Sequence, residues 1–193
     1  MLKQTITIIA SSLLMSASMS VNQSSQPTAY DDDEAYDVYS AILPSEWPIS
    51  YAKAKRLVIR AETKAYKMCL RPEKESEGLV GPAISDYVKA NEKTWLLQNN
   101  IRLAVPYKLV GSHELQTSIE GSGWDGFYKQ YPDSGGWIEL SAVGFNADRT
   151  VAVVYMGHSC GNLCGGGSFH VLQKKDGAWV ALDWKGISCA WAS

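Results

Sequence analysis

Two of the four cysteines stand close together in a glycine-rich stretch, between two segments that have the composition of β-strands. Cys160 and Cys164 are followed directly by three glycines, and the flanking segments 150–157 and 168–174 are rich in apolar and β-branched residues. Consecutive strands joined by turn-forming residues pair most simply as antiparallel neighbours. The stretch therefore restricts the chain to a fold with an antiparallel sheet in its C-terminal third.

Four strands are predicted in this third of the chain. The turn sequences Asn146–Arg149 and Asp176–Gly177 separate them, which favours an antiparallel β-meander. Residues 151–156 are apolar at every position, as expected of a central strand whose faces are both covered or folded against helices. The predicted strands are 137–145, 150–157, 168–174 and 179–184.

Helices are expected upstream of the meander. An acidic run opens a predicted helix over 31–43, because carboxylates are favourable at the positive end of the helix dipole. Ser85 is expected to cap a second helix that reaches about Leu97, and Ser112 a third, short one. Strands are predicted at 56–61 and 101–105. The fold class is therefore α+β: a C-terminal antiparallel meander of about four strands with the upstream helices packed on one face.

Four aromatic residues recur at helical spacing, at positions 124, 127, 128 and 131. A short helix there presents a nearly continuous aromatic face. Such a face can stack on sugars, but it more commonly packs into a core. We expect core.

The N-terminus has the pattern of an export signal. Lys3 precedes an apolar segment over 5–15, and small residues follow at 16–20. The apolar centre is shorter than the roughly 20 residues of a membrane-spanning helix, so no membrane span is expected after cleavage. The sequence predicts a signal peptide over 1–20, a flexible tether over 21–29 and a single domain over 30–193, in the periplasm or secreted.

The charge of the chain excludes one class of partner. A formal net charge of −2, with 20% charged residues, leaves no basic stripe for a phosphate backbone, so nucleic acid is not an expected partner. Basic residues cluster at Lys53, Lys55, Arg56 and Arg60, where a solvated face is expected. No motif indicates a cofactor.

All four cysteines follow the signal segment, and an even number in an exported chain is expected to pair. Three connectivities are possible. Pairing of Cys160 with Cys164, and of Cys69 with Cys189, is favoured because the first two share a tight loop and the second two join distant segments. The three glycines beside Cys164 are expected to permit positive φ or close backbone approach.

Two chemical alternatives use the same stretch. Cys160 or Cys164 with His158 or His170 forms a candidate nucleophile and base for a cell-envelope hydrolase. Alternatively, these four side chains are the ligand types of a structural zinc site. Oxidation of the cysteines would remove both possibilities.

Four segments carry a resemblance to a known group of proteins: YxxYSAIL at 36–43, LVIRAET at 57–63, WIELSxxGFN at 137–146 and CGxxCG at 160–165. Together they resemble an uncharacterised family of exported bacterial proteins, over nearly the whole chain after the signal. The resemblance implies a bacterial source and a single α+β domain, and it implies no activity or site residues. We expect an exported, disulfide-stapled domain that acts by binding or structural interaction, without catalysis or cofactor.

Overall fold

The computed structural model describes residues 27–45, 54–66, 70, 78–182 and 190–192. Within these ranges the chain forms four helices and ten strands. The helices are α1 (Asp33–Ser45), α2 (Gly81–Ala90), α3 (Ser112–Ile119) and α4 (Gly123–Gln130). The strands are β1 (Thr28–Ala29), β2 (Leu57–Arg60), β3 (Trp95–Leu96), β4 (Tyr107–Val110), β5 (Trp137–Leu140), β6 (Gly144–Phe145), β7 (Val151–Gly161), β8 (Cys164–Lys175), β9 (Ala178–Ala181) and β10 (Ala190–Ala192).

Eight of these strands form one mixed sheet in the order β10-β8-β7-β5-β2-β4, with β6 also paired to β7 and β9 to β8. Strands β5 to β10 pair antiparallel, whereas β2 is parallel to both β4 and β5. The predicted α+β class and the C-terminal antiparallel meander are confirmed.

The central hairpin is longer than its sequence indicates. Strand β7 runs to Gly161 and β8 begins at Cys164, so only Asn162 and Leu163 connect them. The three glycines that were expected in a loop therefore lie within β8.

Strand β7 is covered on both faces, as its apolar sequence predicts. Alternate residues Ala152, Val154 and Met156 pack in one core with α1. Val151, Val153 and Tyr155 point the other way and pack with α2. The helices consequently divide between the two faces of the sheet, a distribution that goes beyond the single covered face expected from the sequence.

The aromatic face of α4 packs into a core, as expected, although Trp124 and Tyr128 are only partly buried there. Phe127 is fully buried and packs with Tyr131 against Val58 of β2. The Trp124 ring stacks on Trp137 of β5 with 4.6 Å between centroids. Helices α3 and α4 thus close the sheet over its parallel half.

Two upstream predictions differ from the structure. The helix expected over 85–97 begins at Gly81 and ends at Ala90, because the buried Asn91 side chain bonds to the carbonyls of Tyr87 and Ala142. Its last predicted residues include β3, where Trp95 N–H bonds to Thr63 Oγ1. The strand expected over 101–105 is not formed; β4 begins after Pro106, where the ladder with β2 starts.

Ordered structure reaches into the segment that the sequence assigns to a tether. Thr28 and Ala29 form β1, which pairs in parallel with β3. Tyr30 N–H then bonds to the carbonyl of Leu96 at 2.8 Å. No helix in the described ranges is long and apolar enough to span a membrane.

Candidate binding groove beside the disulfide-closed hairpin

The tip of the β7–β8 hairpin is closed by Cys160 and Cys164. Their sulfur atoms are paired as a disulfide, with 5.0 Å between the Cα atoms. Ser159 pairs with Gly165 and Gly161 with Cys164, so Cys160 is an extra residue in its strand and forms a β-bulge. This is the pairing that the sequence favoured for these two residues. Cys69 and Cys189 lie outside the described residues.

Both candidate histidines lie on one face of the hairpin. His158 is opposite Gly166 and His170 is opposite Val154, so their side chains share a face with Met156. Beside them is a groove of about 260 Å³, bordered by Ala190 and Ala192 of the neighbouring strand β10. The sequence brought the two histidines to one hairpin, and the register places both in this groove.

Ser168 is a polar member of the groove that the sequence analysis missed. Its Oγ lies 2.9 Å from Nε2 of His170, within hydrogen-bond distance. The signal was present: residues i and i+2 of a strand share a face, and both residues belong to the predicted strand 168–174. The groove therefore contains two imidazoles and one hydroxyl.

At two of the glycines that line the groove, neighbouring groups occupy the space that a side chain would need. A Cβ at Gly166 would lie 3.2 Å from Cε1 of His158 and 3.0 Å from the carbonyl oxygen of Trp191. At Gly167 a Cβ would overlap the hydroxyl of Tyr155. Close approach, one of the two expected reasons for the glycine run, is confirmed here. Positive φ is not: the described glycines that adopt it are Gly78, Gly121, Gly123, Gly136 and Gly177.

Burial lowers the pKa of the His158 imidazole below its ordinary 6.5. The ring is consequently neutral at neutral pH, with one nitrogen that donates and one that accepts a hydrogen bond. A neutral imidazole in a partly buried groove is suited to hydrogen bonding with an uncharged polar group.

The groove bears on the two chemical alternatives. In the oxidised state neither Cys160 nor Cys164 carries a thiolate, which is the form that acts as nucleophile or as zinc ligand. Gly166 lies opposite His158, and His170 is four residues further along β8. At strand spacing the backbone positions of the two histidines are therefore separated by roughly 13 Å along the strand. Among the described residues, no group of three or more His, Cys, Asp or Glu side chains is placed to hold a metal ion.

The basic cluster near β2 is only partly the solvated face that was expected. Lys55 is exposed, but the Arg60 side chain is only 23% exposed and its Nη1 lies 3.4 Å from Glu139 Oε1. Lys64 Nζ lies 2.8 Å from the other oxygen of Glu139, which is itself buried. Arg60 therefore belongs to a partly buried ion network. Lys53 lies outside the described residues.

No protein-family profile, curated protein or solved structure matches the chain in comparisons with known proteins.

Proposed function

We propose that this chain is an exported bacterial domain that acts by binding, through the β7–β8 hairpin, and that it is not an enzyme. The observation that carries the proposal is the disulfide at the hairpin tip. The disulfide leaves neither Cys160 nor Cys164 as a free thiol, and it holds the hairpin tip in one conformation.

Export is supported by two independent features. The N-terminal sequence has the charge, apolar segment and small residues of a signal peptide. Disulfides persist in the bacterial periplasm and outside the cell, whereas cytosolic thiols are kept reduced. A periplasmic or secreted location accounts for both.

Binding is supported by what the hairpin offers. The groove presents the Ser168 hydroxyl and two imidazoles in fixed positions on a sheet. At the tip, Leu163 is 86% exposed between the two bridged cysteines. Because the disulfide fixes the tip before contact, a partner that binds there pays little ordering entropy.

The first experiment measures the non-reduced intact mass and the metal content of protein purified from the envelope of an expressing bacterium. We expect a chain cleaved near Ser18 or Ser20, lacking the four hydrogens that two disulfides remove, and free of zinc. A rapidly alkylated thiol would favour the hydrolase alternative. One equivalent of zinc would favour the zinc-stabilised module.

The second experiment tests binding at the tip directly. A photo-crosslinking amino acid replaces Leu163, and in a matched control it replaces Lys175, which is exposed at the other end of β8. We expect a discrete cross-linked species from position 163 in living cells, reduced when Cys160 and Cys164 are both serine. Equal cross-linking from both positions, or none from 163, would contradict the proposal.

A further inference from the structure

A second cavity lies away from the hairpin tip, between the start of α1, helix α2 and strand β6. Its volume is about 490 Å³, within the range of small-molecule sites. Its lining combines aromatic rings with carboxylates from segments far apart in the sequence. Such a combination of apolar walls and a few converging polar groups is typical of a ligand pocket.

The aromatic walls of this pocket are held in place. The Trp95 indole N–H bonds to the carbonyl of Ala90 at 2.8 Å, and the Tyr30 hydroxyl accepts the Val143 N–H at 2.9 Å. The Tyr30 and Trp95 rings lie 5.5 Å apart. Phe145 is buried on the opposite side. The walls are therefore formed before any ligand arrives.

The one cation of the lining is already neutralised. Arg149 Nη2 lies 2.7 and 2.9 Å from the two oxygens of Asp32, and its Nε lies 2.6 Å from Glu34. Its guanidinium also stacks on Phe145, 3.8 Å from the ring centroid. Because its charge is already paired with these two carboxylates, Arg149 is not available to bind an anionic ligand.

Two further carboxylates of the lining have no cationic partner among the described residues. Asp86 accepts the Phe145 N–H at Oδ2, 2.9 Å away, and its second oxygen is not used in that bond. Asp31 is exposed at the pocket edge. The lining thus has an excess of negative charge beside aromatic walls.

We propose that this pocket binds a primary alkylammonium group, carried by a free diamine or by a lysine side chain of a peptide. The carboxylates of Asp31 and Asp86 supply the charge complement, and the aromatic walls contact the methylene chain. Lys93 Nζ already lies 3.8 Å from the Trp95 ring centroid, so a ligand ammonium group would have to displace Lys93 to use that face of the ring. The site is separate from the hairpin groove, so this inference does not depend on the proposed function.

The test is calorimetric titration of the purified protein with 1,5-diaminopentane, with Nα-acetyl-lysine amide, whose side-chain ammonium is free, and with 1,5-pentanediol. The diol has the same length without charge. We expect the diamine or the lysine amide to bind and the diol not to bind, with affinity falling as salt is raised. Preference for one of the two amines identifies the source.

Charge-removing variants locate the binding. Asp86→Asn keeps an acceptor for the Phe145 N–H, and Asp31→Asn alters an exposed side chain. We expect each to weaken binding about tenfold, the loss of a charge-assisted contact. Asp125→Asn, at an exposed residue of α4 that does not line the pocket, is the matched control and should bind as the parent does. Equal binding of diol and diamine, no binding of either amine, or no effect of Asp31→Asn would overturn the proposal, whether or not Asp86→Asn folds.

Discussion

At Gly166 and Gly167, strand β8 is approached from both sides. β7 brings His158 and Tyr155, and β10 brings Trp191, whose indole N–H bonds to the Tyr155 hydroxyl at 2.7 Å. A strand interior normally gains from β-branched residues, and glycine weakens it. Glycine is nevertheless required here because the neighbouring side chains fill the space of a Cβ.

Gly167→Ala is expected to destabilise the fold by about 1–3 kcal/mol, because its Cβ would overlap the Tyr155 hydroxyl. The measurement is urea unfolding, made also in a Tyr155→Phe background. Removal of the hydroxyl should reduce the cost of the alanine, so the two substitutions should couple. Additive effects would show that the Tyr155 hydroxyl is not the obstacle.

His158 gives the fold a pH dependence whose sign follows from its lowered pKa. The unfolded imidazole, near 6.5, binds a proton more readily than the folded one. The contribution of His158 to the free energy of unfolding is therefore fully present above pH 6.5. It falls as the pH drops through that value and levels off below the folded pKa. His158→Gln should remove this part of the slope in pH-dependent thermal unfolding. His113→Gln, at an exposed residue of α3, is the control, and a slope unchanged by His158→Gln would refute the assignment.

The elements divide into those set by local sequence and those set by tertiary contacts. Helix α1, the meander strands and the aromatic helix α4 follow from periodicity and turn residues, so the sequence predicts them. Strands β3 and β4 do not follow from local sequence, because they form by pairing with distant residues. Trp95 of β3 bonds to Thr63, and β4 pairs with β2. The groove shows the same division, since strand alternation brings Ser168 to His170 but only the sheet order brings β10 beside them.

Replacing both Cys160 and Cys164 with serine tests what the disulfide adds to its hairpin. The closed loop is short, so chain-entropy arithmetic gives a loss of about 2 kcal/mol. Denaturant unfolding without reductant is the measurement. The double variant avoids any effect of reductant on the other two cysteines. An unchanged midpoint would mean that β-pairing alone fixes the tip.

For the whole molecule, the decisive junction is where the parallel and antiparallel halves of the sheet meet. Strand β5 pairs in parallel with β2 on one side and antiparallel with β7 on the other. At that junction the buried Glu139 of β5 accepts from Arg60 of β2 and from Lys64. The network joins β5 to β2 and to the residues directly after β2, between the core that contains α2 and the core that contains α3 and α4.

Glu139→Gln should therefore destabilise the molecule by about 1–3 kcal/mol, because Arg60 and Lys64 lose the buried carboxylate that they share and Arg60 keeps only Glu62 as a countercharge. Asp133→Asn is the matched control: its ion pair with Lys55 is exposed on both sides, so its loss should cost less than about 1 kcal/mol. Both are measured by urea unfolding at the same pH and low salt. Hydrogen exchange should also show faster opening of β2 and β5 in the Glu139 variant, because the halves of the sheet then lose their shared charge contact. Equal costs for the two variants would mean that the junction is held by backbone pairing and apolar packing alone.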